Sequence, residues 1–170
     1  MPINFASIHT TSITAYETMV NIMSAGPDVI QQLREEAHRV LQEEGGWTKH
    51  GLSRMQRIDS VIRESQRVSP IALTFIHRKV VAKEGIITPE GVHIKCGTLL
   101  SCPWTPLAGD IDIHEDPEKF DAFRYSRPRE GYEAMSAEQK EGVDVLKLKQ
   151  MGLVTTGAHH LPFGHGRHAW

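Results

Sequence analysis

The glycines and prolines of this chain decide where regular structure can run. Gly26-Pro27, Gly45-Gly46, Gly51 and Pro70 leave three long stretches free of breakers before residue 70, at 3–25, 28–44 and 52–69, each long enough for a helix. Beyond Pro70 the breakers crowd together at Gly85, Pro89, Gly91 and Gly97, so only strand-length pieces fit between them. The spacing predicts a mainly α chain with a small β-sheet, helices first.

Residues 3–24 are a mixed apolar and hydroxyl-rich run. Ile3, Ala6, Thr10, Ile13 and Glu17 share one helical face, with Phe5, Ile8, Ser12 and Tyr16 beside it. This reads as a buried helix entered from its middle, because no cap precedes Ile3. Taken alone, Thr10-Thr11-Ser12 needs no chemistry: hydroxyls in helices bond to carbonyls one turn earlier. The second helix opens near Asp28 and carries its apolar stripe on Val29, Leu33, Ala37, Val40 and Leu41, with Glu35, Glu36, Arg39, Glu43 and Glu44 outside. A third helix is expected over 52–67, with Leu52, Met55, Ile58 and Ile62 inward. Within it Glu64 and Arg67 stand three apart on one face, by itself a surface ion pair worth about a few tenths of a kcal/mol.

From Ile71 to Leu100 the signals are those of short strands, with turns at Lys83-Glu84-Gly85 and Pro89-Glu90-Gly91. Cys96 and Cys102 fall on neighbouring expected strands and read as reduced thiols in a partly buried sheet. Pro103 to Asp110 starts a short helix or turn. Residues 127–150 are charged and broken by Pro128, Gly131 and Gly142, which reads as a poorly ordered surface excursion. The formal charge of −2 gives no reason to expect nucleic acid or an anionic membrane as partner. No segment has the unbroken apolar length of a membrane span, and the N-terminus lacks a signal-peptide pattern. His159, His160, His165 and His168 suggest a metal, but their spacing matches no structural zinc pattern.

The final run, Phe163-Gly164-His165-Gly166-Arg167-His168-Ala169, is poor material for a helix or core strand. Its glycines let backbone pass close to a bulky group, and its His and Arg offer donors to an anion. The run resembles the haem-binding loop of cytochromes P450, fungal ones in particular. In that family the next residue is the Cys that ligates haem iron as thiolate. Here Trp170 stands at that position, and an indole nitrogen is a donor only.

Two further stretches carry the same resemblance. Ala6-Ser7-Ile8-His9-Thr10-Thr11 resembles the oxygen-activation stretch of the family's central helix, with Thr10 at the alcohol position and His9 where many members carry an acid. An imidazole can still relay protons near neutral pH. Glu64-x-x-Arg67 followed by Pro70 and strands resembles the family's K helix. Its third partner would be Arg124, in Phe120-Asp121-Ala122-Phe123-Arg124-Tyr125, which resembles the family's meander. Such a triad fixes the loop below haem and takes no part in catalysis.

The resemblance implies the C-terminal part of the P450 fold, incomplete, as one partial domain over 1–170. It implies haem as cofactor, contacted by Phe163, Gly166 and His168, with His77 and Arg78 as alternative propionate contacts or simply a cationic strand edge. It implies a reductase fed by NADPH and a small apolar metabolite as partners. Full-length relatives are anchored in the endoplasmic-reticulum membrane. The leading expectation is a truncated, inactive P450 remnant that binds haem weakly or not at all. The alternatives are an active monooxygenase of fungal secondary metabolism seen through a faulty gene model, and a non-catalytic haem- or metal-binding module using His165 and His168.

Overall fold

A computed structural model describes residues 2–72, 74–162 and 164–166. The described chain is mainly helical with two small antiparallel ribbons. Four helices come first: α1 (Pro2–Ala25), α2 (Pro27–Glu44), α3 (Lys49–Arg54) and α4 (Gln56–Val68). Four short strands follow, β1 (Thr74–Lys79), β2 (Ile86–Ile87), β3 (His93–Ile94) and β4 (Leu99–Pro103), then α5 (Trp104–Ala108), α6 (Arg127–Ala134) and α7 (Val145–Lys149).

Pro27 starts α2 directly after Gly26, and Gly45 ends it in the left-handed conformation at φ 68°. The Gly45 and Gly46 N–H groups return to the Gln42 and Leu41 carbonyls at 3.3 and 3.0 Å, closing the last turn. The single helix expected over 52–67 is instead two, separated at Met55. Thr48 caps α3 by accepting from Gly51 N at 2.8 Å. The first N–H groups of α4, from Arg57 and Ile58, are met by the Glu36 carboxylate at 2.8 and 2.9 Å. With both ends satisfied separately, nothing forces one continuous helix, and Leu52 turns to solvent. Glu36, expected outside α2, is accordingly buried. Burial lifts its pKa although both N–H donors pull the other way.

α1 was expected to be buried and is largely exposed. Thr18 is buried, whereas Ile8, Tyr16 and Met23 are 61, 66 and 69% exposed. Its apolar residues point in every direction, and α4 and α2 cover one side. The main core is Leu33, Val61 and Ala122, packed on by Ile22, Ile58 and Phe123 among others. A second cluster joins Trp104, Ala108 and Leu161 to Ile76, Cys102 and Leu107.

The β2–β3 ribbon is nested between β1 and β4, which pair with each other. Gly85, at φ 78°, sits where a Cβ would lie 2.3 Å from the Ile94 carbonyl oxygen, so this turn admits glycine alone. Between Phe75 and Arg78 the β1–β4 register slips, with Ile76 at φ 55°. That bulge position ordinarily takes glycine. Cys102 lies half-buried on β4 as expected, whereas Cys96 is exposed and outside the strands; both are free thiols.

Residues 127–150, expected to be poorly ordered, lie on the surface but form α6 and α7, neither with a buried residue. Charge pairing fixes α6 where apolar contact does not: Glu130 meets Arg57 through two bonds of 2.9 and 3.0 Å, and Arg129 meets Asp59 at 2.7 Å.

Candidate functional site

The structure brings Glu64, Arg67 and Arg124 together at the end of α4. Glu64 is fully buried and takes two bonds from Arg67, each 2.8 Å, one to either carboxylate oxygen. Arg124 Nε donates to Glu64 Oε1 at 3.1 Å, and the Asp121 N–H reaches the same oxygen at 3.0 Å. The remaining guanidinium donors go to backbone. Arg67 bonds the carbonyls of Ala108 and Pro117, each at 2.7 Å, and of Lys119 at 3.2 Å. Arg124 also takes Lys119 at 3.0 Å, Asp116 at 3.3 Å and the Glu115 carbonyl. A buried carboxylate shared by two guanidiniums is tolerable because its oxygens and most of their donors are met. The result is a clamp that fixes the irregular stretch 108–124 against α4.

Two buried side chains at this clamp are not legible as such in the sequence. Trp104 donates its indole N–H to the Arg67 carbonyl at 3.3 Å, and His160 packs edge-on against Trp104 with centroids 6.1 Å apart. Burial, with the charge of Arg63 adding to it, lowers the His160 pKa to about 3. Burial also lowers the His114 pKa, to about 4, with Arg67 and Arg124 adding to it. Both rings are neutral at neutral pH. The carbonyl acceptors of the clamp could not have been identified from residue types, since every residue carries one.

On the other side of α4 lies a cavity of about 660 Å³ between α1, α2, α4 and the stretch 153–162. Thr10, Thr11 and Thr14 line it from α1, Pro70 and Ile71 from the end of α4, and Pro162 from the segment leading into the terminal loop. Ile22, Leu33, Ile58 and Val61 are among its aliphatic lining. Thr10 lines the cavity, whereas His9 is exposed.

The terminal loop is described at Gly164 to Gly166. Both glycines are left-handed, at φ 75° and 77°, and nothing lies within 4 Å of where a Gly166 Cβ would be. His165 shares a hydrogen bond of 3.1 Å with the Thr156 hydroxyl. Phe163, Arg167, His168 and Trp170 lie outside the described residues. His77 and Arg78 are both exposed on β1 beside the Ile76 bulge. Among the described residues His159 and His160 diverge: His160 is buried against Trp104, while His159 is exposed. Among the described residues no three His, Cys, Asp or Glu side chains gather as a metal site. No described helix is long and apolar enough to cross a membrane.

An apolar cavity with a hydroxyl on one wall and a glycine-rich loop beyond the other fits a flat macrocycle such as haem.

Comparison with known proteins agrees with this geometry. A sequence-family model described as cytochrome P450 matches residues 1–169. The chain is 34% identical over 170 residues to cytochrome P450 monooxygenase pbrC of Penicillium brasilianum, covering 98% of this chain and 30% of that protein. It is 31% identical to cytochrome P450 monooxygenase tenB of Beauveria bassiana, with the same coverage. It is 34% identical over 179 residues to cytochrome P450 monooxygenase gloP of Glarea lozoyensis, covering 99% of this chain and 32% of that protein. The chain therefore spans about a third of the length of these relatives.

Proposed function

The chain belongs to the cytochrome P450 family, and from that premise we propose that it is the oxygen-activating and haem-contacting section of a haem-dependent monooxygenase of fungal secondary metabolism, inactive as these 170 residues alone. The observation that carries the reading is the cavity with Thr10 on one wall and Pro162, one residue before the terminal loop, on another.

Haem, when bound, supplies the redox chemistry of dioxygen. The protein's part is to place, shield and deliver protons. Thr10 lines the cavity, where its hydroxyl can hand on a proton, and His9 beside it is exposed to solvent. The aliphatic walls offer few polar groups to water. Gly164 and Gly166 let the loop approach closely, and Phe163, Gly166 and His168 are its proposed haem contacts. The Glu64–Arg67–Arg124 clamp holds the segment below that loop and touches no reacting atom.

Inactivity of this segment in isolation follows from the positions of its thiols. Cys96 is exposed beyond β3, Cys102 sits on β4, and neither belongs to the terminal loop, where Trp170 stands at the ligand position. In a longer chain that supplied a thiolate there, the same residues would serve an active monooxygenase, drawing electrons from an NADPH-dependent reductase and acting on a small apolar metabolite.

The test is to supply the purified 170-residue chain with hemin, NADPH, reductase and a panel of apolar substrates. No product is expected. Reductase-dependent product would overturn the inactivity, and complete failure to take up hemin would count against the haem-contact assignment.

A further inference from the structure

A second set of bonds, separate from the Glu64 clamp, runs from α4 to the terminal loop. Arg63, one residue before Glu64, is buried and donates to the carbonyls of Gly152 and, at 3.1 Å, Thr155. Its guanidinium lies 4.8 Å from the centroid of the Tyr125 ring. The carboxylate of Asp59, one turn earlier on α4, is taken by Arg129 at 2.7 Å and by the Leu153 N–H at 3.1 Å. A buried cation is costly, and here two backbone carbonyls and a ring face stand in for a carboxylate. What the arrangement holds is backbone: residues 152–155 against α4.

Thr156 carries the connection onward. Its hydroxyl shares the 3.1 Å bond with His165 Nδ1, and His165 is the only described residue of the loop with a side chain. His165 stands between Gly164 and Gly166, so the backbone on either side has the widest conformational choice. A loop of that kind needs an outside bond to hold one shape. We infer that Thr156 is the positioning residue of the terminal loop, held in place for that task by Arg63. The use of the loop as a haem contact rests on the function proposed above, whereas the tie itself does not.

Hydrogen exchange of the haem-free 170-residue chain, followed by mass spectrometry over 163–170, tests the inference. Thr156→Val keeps the shape and loses the hydroxyl. It should speed exchange there about three- to tenfold, the effect of one lost hydrogen bond, and leave 60–68 of α4 unchanged. Thr156→Ser, which keeps the hydroxyl, should exchange as the parent does. In a His165→Phe background Thr156→Val should add nothing, because the two side chains act as one unit. Arg63→Lys, which keeps the charge but not the fork, should speed 152–156 and 163–170 together. The inference is overturned by an unprotected 163–170 in the parent, by no change in Thr156→Val, or by equal acceleration in α4. Additive effects with His165→Phe, or an Arg63→Lys effect confined to 152–156, would overturn it too. Hemin titration of the same variants separates the two readings: faster exchange with unchanged hemin affinity supports the tie and removes the loop from haem contact.

Discussion

The indole N–H of Trp104 lies 3.3 Å from the backbone carbonyl of Arg67, tying the first residue of α5 to the last turn of α4. The bond supports the clamp from behind, because the same Arg67 guanidinium bonds the Ala108 carbonyl at the other end of α5. Trp104→Phe keeps most of the ring and loses the donor, so a loss of about 1–2 kcal/mol is expected. Trp104→Ala opens a cavity and should cost about 3–5 kcal/mol. Urea unfolding of the two variants separates these contributions.

The clamp itself is asymmetric. Glu64→Ala leaves two guanidiniums facing each other without their carboxylate, and should cost about 3–5 kcal/mol. Arg124 is partly open to solvent, at 13% side-chain exposure against 2% for Arg67. Arg124→Ala should therefore cost less than Arg67→Ala, and limited proteolysis should place its effect in 115–124. Equal losses from the two arginines would contradict this ordering.

Stability should fall on mild acidification. His114 and His160 stay neutral in the folded chain down to about pH 4 and about pH 3, against an ordinary value of 6.5. Between those limits the unfolded chain binds more protons than the folded one. The stability these rings contribute is thus full above about pH 6.5 and is lost as pH falls. Each ring contributes a slope of up to about 1.4 kcal/mol per pH unit. Urea midpoints followed from about pH 7 to about pH 5 should drop in the parent and drop less in His160→Phe, which keeps the edge contact with Trp104.

Trp170→Cys supplies a thiol at the position where relatives in the family carry the iron ligand. If the Gly164–Gly166 loop is the haem cradle, hemin bound to that variant, reduced with dithionite and exposed to carbon monoxide, should show a thiolate-ligated spectrum that the parent lacks. Identical spectra from the two chains would remove the loop from the haem assignment.

Breakers and periodicity located most elements. Gly26-Pro27 and Gly45-Gly46 bounded α2 to the residue or nearly so, because local backbone conformation alone fixes such ends. The Glu64–Arg67 spacing put both side chains on one face, and only the family resemblance could bring in Arg124 from 57 residues beyond Arg67. What stayed illegible was set by distant partners. Glu36 reads as a solvent-facing residue of α2, yet it is buried because the start of α4 needs an acceptor there. The same bond explains why one expected helix became two. The exposed sides of α1 were misjudged for a related reason: an all-round apolar sequence says that burial is wanted, not what provides it.

The Arg67 clamp also bears on how the chain acquires its shape. Its three carbonyl acceptors, from Ala108, Pro117 and Lys119, lie 41, 50 and 52 residues downstream. None of these bonds can form until the whole β region has been looped out and returned to α4, and that loop entropy is spent before any of them gives a return. The α2–α4 contacts, such as Glu36 with Arg57 and Ile58 across 21 and 22 residues, close much shorter loops, so the clamp belongs to the late side of the folding barrier. Weakening it would hasten the escape of the native chain far more than it would slow its arrival, so Arg67 governs the lifetime of the folded state.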